Sequence, residues 1–204
     1  MSLGGVQLSA PPVKVVVERV DQRKVQMYGG DFAKYPSSYV VCRLLRKYGL
    51  KKVLDVTYGE GRFYYLCKSE LDIIGVDPVK RQWVVKPRLF LQENIFELHA
   101  ALEHGLVKPQ QPDVVVIDPP KWNPLVQYRR RSMYNYIIGT PRLIIEYGSR
   151  VAAILKAPYL LLHFREVVPL KDYEPIHIVE FTWLAKYMFT EGKNKSLYIL
   201  YSLK

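Results

Sequence analysis

The apolar residues of this chain fall into two alternating rhythms. Lys52 to Val56, Asp72 to Asp77, Leu89 to Gln92, Val114 to Asp118 and Tyr159 to Phe164 are short, mostly β-branched or leucine-rich runs, the pattern of strands buried on both faces of a sheet. Between them, helical spacing of apolar positions predicts helices over Gly61 to Ser69, Val79 to Val85, Ile95 to His104 and Pro141 to Leu155. A further helix precedes the first of these strands. Ser37 or Ser38 caps it after Pro36, Val40, Val41, Leu44, Leu45 and Tyr48 form its apolar face, and Gly49 stops it. Strand and helix in alternation imply right-handed crossovers and a parallel sheet. At the end, His177 to Ala185 and Ser196 to Leu203 are joined by a loop containing Thr190 to Asn194. No helix fits between them, so they predict an antiparallel hairpin. The expected fold is a doubly wound α/β sheet of seven strands, mostly parallel with a C-terminal antiparallel hairpin, and helices on both faces. Val13 to Val20 is β-branched and predicts an edge strand or a lid, while residues 1–12, with Gly4-Gly5 and Pro11-Pro12, read as a disordered tail.

A length of 204 residues suits one well-cored domain, residues 13–204. Thirty Lys and Arg against nineteen Asp and Glu leave a net charge of +11, which points to a polyanionic partner and makes nucleic acid the first to consider. Cys42 and Cys67 lie in apolar surroundings on predicted helices without metal-ligand spacing. They read as buried thiols of a cytoplasmic protein. His99, His104, His163 and His177 show no ligand spacing either and read as packing or surface residues, so no metal is expected. No apolar run reaches the length of a membrane span.

The chemistry gathers at the carboxyl ends of the strands, where open α/β sheets bind ligands. The first strand runs into Asp55-Val56-Thr57-Tyr58-Gly59-Glu60-Gly61. Glycines at 59 and 61 let backbone pass close to a ligand, and Asp55 sets a carboxylate at the strand end. A dinucleotide enzyme would carry a third glycine at position 64, which is Tyr64. The second strand ends in Asp77-Pro78. Asp77 can accept from two vicinal ribose hydroxyls, or it can cap a helix started by Pro78. After the third strand come Asn94 and Ile95, where Asn94 can cap the following helix. The fourth strand ends in Asp118-Pro119-Pro120-Lys121-Trp122, followed by a loop with Tyr128-Arg129-Arg130-Arg131. Lys121 and the arginines can pair with phosphates, Tyr128 and Trp122 can stack on bases.

With these residues in view, nearly the whole chain resembles class I, Rossmann-like, S-adenosylmethionine-dependent methyltransferases, in the nucleic-acid-modifying branch that carries an Asp-Pro-Pro motif. The resemblance implies that Asp55, Thr57, Gly59 and Gly61 hold the amino-acid and ribose part of S-adenosylmethionine and Asp77 its ribose. Asn94 would meet the adenine amino group and Ile95 its ring. Residues 13–50 would cover cofactor and substrate, with Phe32 and Lys34 as candidates. Asp118, Pro119, Pro120 and Trp122 would be the catalytic set. An exocyclic amino nitrogen is a poor nucleophile because its lone pair is delocalised. A carboxylate and a rigidly aimed carbonyl accepting its protons turn the lone pair toward the methyl group. The family has its aromatic at the fourth motif position, where this chain has Lys121. Asp-Pro-Pro-Lys-aromatic is also similar to enzymes that methylate C5 of cytosine, but these need a cysteine after the fourth strand, where this chain has none. The implied reaction is methylation of RNA, tRNA or rRNA ahead of DNA, at an exocyclic base nitrogen. Target choice then lies in the N-terminal segment, the loop after Trp122 or a protein partner. The alternatives are a methyltransferase for a small amine or protein side chain, or a non-catalytic nucleic-acid-binding protein in which Lys121 pairs with Asp118.

Overall fold

The apolar runs assemble side by side into one sheet in the computed structural model, which describes residues 14–107, 110–119, 140–183 and 195–204. Its strands are β1 (Val16–Asp21), β2 (Lys52–Asp55), β3 (Asp72–Val76), β4 (Leu89–Leu91), β5 (Val114–Ile117), β6 (Tyr159–Phe164), β7 (Tyr173–Thr182) and β8 (Lys195–Leu203), in the order β1-β7-β8-β6-β5-β2-β3-β4. Only β8 runs against its neighbours, antiparallel to both β6 and β7. Among the described residues the sheet therefore has eight strands rather than seven. The extra one is β1, whose β-branched residues pair parallel with β7 from Val16 opposite His177 to Asp21 opposite Thr182. Ion pairs flank this ladder, Glu18 meeting Arg43 at 2.5 Å and Arg19 meeting Glu180 at 3.1 Å. β7 begins earlier than expected, and a bulge between Pro175 and His177 absorbs the proline, which has no N–H to give the ladder.

Helices α1 (Gln22–Gln26), α2 (Gly30–Lys34) and α3 (Pro36–Lys47) and a 3₁₀ helix (Arg62–Glu70) belong with one core; α4 (Ile95–Glu103) and α5 (Pro141–Ile154) belong with the other. Alternation along the strands serves both cores. Val114 and Val116 of β5 join Val40, Val41, Leu44 and Leu45 of α3, while Val115 and Ile117 join Leu98 of α4 and Ile145 of α5. Each such fully buried side chain is worth about 1.5–3 kcal/mol of transfer free energy. No helix among the described residues is long and apolar enough to cross a membrane.

Three local expectations are corrected. Neither Ser37 nor Ser38 caps α3, which starts at Pro36 with no side-chain cap; the buried Ser38 hydroxyl instead accepts the Leu66 N–H at 2.9 Å. Val79 to Val85 forms no helix, because the N–H groups of Val84 and Val85 both turn to the Glu60 carbonyl, at 2.8 and 3.3 Å. Cys42 and Cys67 are not free thiols but a disulfide linking α3 to the 3₁₀ helix, with Cα atoms 5.7 Å apart and 25 residues between them in sequence. Closing such a loop in the unfolded chain is worth about 3–4 kcal/mol. The reading of two unpaired buried thiols is corrected by this pairing.

Candidate cofactor and acceptor site

β2 and β5 lie side by side at the point where the sheet's order reverses, β3 and β4 continuing one way and β6 the other. This is where a crevice opens beyond the strand tips. The tips are tied together by backbone bonds, from Val56 N–H to the Val116 carbonyl at 3.1 Å and from Tyr58 N–H to the Val76 carbonyl at 3.1 Å.

Asp55 closes β2 at only 2% exposure. Tyr64 donates its hydroxyl to Oδ2 at 2.6 Å, and Oδ1 accepts from Thr57 N–H at 2.9 Å and Thr57 Oγ1 at 3.1 Å. Burial pushes the carboxyl up to about 7, against the pull of these donors, and the neighbouring Asp118 adds to the rise. Thr57 passes the connection on, its Oγ1 accepting the Asp118 N–H at 2.7 Å.

The glycine turn divides its labour. Gly59, at φ +56°, has open space above its Cα, where an added Cβ would meet nothing nearer than the Thr57 carbonyl at 3.9 Å. Gly61, at φ +72°, has none; its missing Cβ is replaced by the Tyr58 hydroxyl, which would lie 2.5 Å away and which bonds the Val85 carbonyl at 2.7 Å. Gly61 thus makes room for a tyrosine rather than for a ligand. Gly59 gives its N–H to Asp77 Oδ2 at 3.0 Å, and Asp77 Oδ1 accepts from Val79 N–H at 2.9 Å. Asp77 therefore pins one strand-end loop to the other. Asn94 caps α4 through a capping box, accepting from Phe96 and Glu97 N–H at 3.0 and 2.9 Å while Glu97 returns to the Asn94 N–H at 3.1 Å.

Two hollows result. The first, about 210 Å³, is lined by Val56, Thr57, Gly59, Asp77, Pro78, Arg81, Asn94, Ile95, Asp118 and Ile144. The second, about 410 Å³, is lined by Ser37, Asp55, Thr57, Tyr58, Gly59, Glu60, Arg62, Phe63, Arg81, Asp118, Pro119, His163 and Trp183. Asp118 borders both, with its side chain 39% exposed. Its Oδ1 meets His163 Nδ1 at 2.8 Å. The His163 ring, 8% exposed, stacks on Tyr198 at 4.2 Å between centroids and takes the edge of Phe63 at 5.6 Å. Among the described residues its Nε2 has no partner, and Nδ1, facing the Asp118 carboxylate, is the nitrogen placed to donate.

Of the residues expected from sequence, Thr57, Gly59, Asp77, Asn94 and Ile95 meet at the first hollow, Pro119 and the buried Asp55 lie on the second, and Gly61 lines neither. Pro120, Lys121, Trp122, Tyr128, Arg129, Arg130 and Arg131 fall outside the described residues. Phe32 packs on Tyr28 and Tyr39 and lies on neither hollow, as does Lys34. The sequence reading missed His163, Phe63 and Trp183. His163 carried a usable signal, a polar residue in the apolar run Tyr159 to Phe164 at the carboxyl end of the strand beside β5.

No protein-family model and no curated protein matches the chain. Among solved structures it is similar to magnesium protoporphyrin IX methyltransferase from Synechocystis with bound S-adenosylmethionine, at 13% identity and TM-score 0.49, covering all of this chain and 87% of that one. It is also similar to a prophage-encoded protein of Escherichia coli named as a candidate DNA modification methyltransferase, at 11% identity and TM-score 0.47 over 75% of this chain. A third is the Pyrococcus abyssi tRNA (uracil-54, C5)-methyltransferase in complex with S-adenosyl-L-homocysteine, at 17% identity and TM-score 0.40 over 80% of this chain. The chain spans 47% of the length of the second and 38% of the third. At these scores the likenesses carry no weight for activity, which has to come from the chain's own residues.

Proposed function

We propose that the protein is an S-adenosylmethionine-dependent methyltransferase that modifies RNA at an exocyclic base nitrogen. The observation that carries this reading is the position of Asp118, a half-exposed carboxylate on the border between two hollows. The residues of the first hollow suit the cofactor. Gly59 offers uncovered backbone. Asp77 accepts two backbone N–H groups, and a carboxylate at this strand tip, on the lining of the hollow, suits the hydroxyls of a ribose. Ile95, Val56 and Ile144 supply apolar walls for a purine ring. The Asn94 oxygen is committed to the cap of α4, so its amide nitrogen is the atom left to meet adenine, as a donor rather than an acceptor.

The bound cofactor supplies a methyl group on a positively charged sulfur. The chain's part is to present the nucleophile. Asp118 Oδ1 is taken by His163, which leaves Oδ2 to accept a proton of the acceptor amino group and turn its lone pair out of conjugation. The buried Pro119 fixes the direction of the backbone there. Asp118 Oδ2 would take the proton that the newly methylated nitrogen sheds, while the electron pair of the broken S–C bond would stay with the sulfur, which leaves as a neutral thioether. Phe63, His163 and Trp183 give the second hollow ring-lined walls suited to a planar base. The net charge of +11 suits a polyanionic substrate. Trp122, Tyr128, Lys121 and Arg129 to Arg131 enter from the sequence alone, as stacking and phosphate-pairing groups, and Pro120 enters likewise as part of the Asp-Pro-Pro motif.

Isothermal calorimetry with S-adenosylmethionine tests the cofactor half. The wild type should bind, and Asp77→Ala should bind at least about tenfold more weakly, because it removes a charge-assisted acceptor. Equal affinity of the two proteins would refute the assignment.

A further inference from the structure

The 3₁₀ helix that frames the acceptor hollow carries a row of residues that the site itself does not use. In a 3₁₀ helix, side chains three apart eclipse one another, so Arg62, on the lining of the hollow, shares a face with Tyr65, and Tyr65 with Lys68, the break at Cys67 apart. The Lys68 ammonium sits 4.3 Å from the centre of the Tyr65 ring. Against that ring lies Tyr35, at 4.3 Å between centroids and 33° between planes, and Lys34 sits 5.3 Å from the Tyr35 centre. The lysines and Arg62 are exposed and the tyrosines half-buried. Of the acids near the strip, Glu60 is paired with Arg62 and Glu70 with Arg46, while Asp31 stands exposed three residues before Lys34. The strip is also rigid. Tyr35 immediately precedes α3, and α3 is fastened to the 3₁₀ helix by the Cys42–Cys67 disulfide and by the Ser38–Leu66 hydrogen bond.

We propose that Lys34, Tyr35, Arg62, Tyr65 and Lys68 form a docking strip for single-stranded nucleic acid, holding the nucleotides next to the one seated in the acceptor hollow. This rests on the reading of that hollow as a base-binding site. A polymer with one unit in the hollow has to leave it across the rim, and Arg62 and Ser37 stand on that rim two or three residues from the tyrosine pair. Stacked aromatic rings accept any base face, and flanking cations track the backbone without reading sequence. The ammonium groups that lie over the rings are the ions an arriving strand would recruit. Long lysine side chains can swing off the ring faces to phosphates while a base takes their place. Because the tyrosines are held in place beforehand, little ordering cost remains at binding.

The test is fluorescence anisotropy with a labelled oligoadenylate of about ten nucleotides, the order of one binding site. Tyr35→Ser/Tyr65→Ser should weaken binding about tenfold, and Tyr35→Phe/Tyr65→Phe should bind as the wild type does. Lys34→Ser/Lys68→Ser should flatten the dependence of log affinity on log salt by about 1.4, two phosphate contacts to a single strand being lost. Both pairs should keep wild-type affinity for S-adenosylmethionine and wild-type circular dichroism. Unchanged oligonucleotide affinity and salt slope in both pairs would overturn the strip, as would tighter binding of a polyglutamate peptide than of the oligonucleotide. The oligonucleotide assay needs no cofactor, so failure of the methyltransferase reading, seen as no S-adenosylmethionine binding by the wild type, stays distinguishable from failure of the strip.

Discussion

The tips of β2 and β5 are neighbours in the sheet, and each ends in an aspartate, yet the two acids live in different chemistry. Asp55 is 2% exposed and its oxygens are filled by Tyr64 and Thr57. Asp118 has a side chain 39% exposed, one histidine on one oxygen, and a hollow on each side. Thr57 joins them, donating to the first and accepting from the backbone of the second. The difference separates two jobs that the residue type alone does not. A carboxyl sealed among donors fixes the shape of a turn; a carboxylate left at the border between hollows can take a proton from something that enters.

The largest effect should follow from removing the border acid. Asp118→Ala should lower methyl transfer to RNA about a hundredfold to a thousandfold, the cost of losing one group that acts mainly in the transition state. S-adenosylmethionine binding should persist, because Gly59, Asp77 and Asn94 are untouched. Radiolabelled methyl transfer beside calorimetry measures both. Activity retained in Asp118→Ala would erase the distinction between the two tips.

Asp55 should respond to pH instead. Its folded value of about 7 stands above the ordinary 3.8, so between those limits the folded state holds a proton that the unfolded state releases. The stability this gives is full below about pH 4 and is lost as pH rises through 7, a swing of about 4 kcal/mol. Asp55→Asn should therefore gain on the wild type by about that amount between pH 4 and pH 8, seen as a pH-dependent difference in urea midpoints. A constant difference across that range would mean that Asp55 stays ionised in the folded protein.

Much of this was legible in the amino-acid order, because buried parallel strands write themselves as apolar runs and their ends as acids and glycines. The helix α4 was legible twice over, in its apolar spacing and in Asn94 and Glu97 three apart, the pair that closes the capping box. What escaped depends on contacts between distant segments. Gly59 and Gly61 look alike in a string, but the Tyr58 side chain folds back under Gly61 and leaves only Gly59 open. Cys42 and Cys67 meet because α3 packs on the 3₁₀ helix, which no spacing rule reports. Val79 to Val85 carries helical spacing, but its amides are claimed by Glu60 across the turn. The acids could be counted from the sequence; their exposure could not.

His163 gives the smallest and sharpest test of the comparison, since it touches only the exposed tip. It sits 45 residues from Asp118 and reaches it because β6 pairs parallel with β5. Its ring is clamped by Tyr198 and Phe63, so under the proposed function it would act as a positioning residue, deciding which Asp118 oxygen faces the acceptor. His163→Leu should lower kcat about tenfold with KM for RNA and S-adenosylmethionine affinity nearly unchanged, as expected when an interaction matters mainly at the transition state. His163→Asn keeps a side-chain N–H able to donate to Asp118 and should recover most of the loss. A merely structural histidine would predict the reverse ranking, with the apolar leucine better tolerated among Tyr198 and Phe63 than the polar asparagine. Equal activities for the two variants would detach His163 from Asp118 and return it to the packing role its place in an apolar run first suggests.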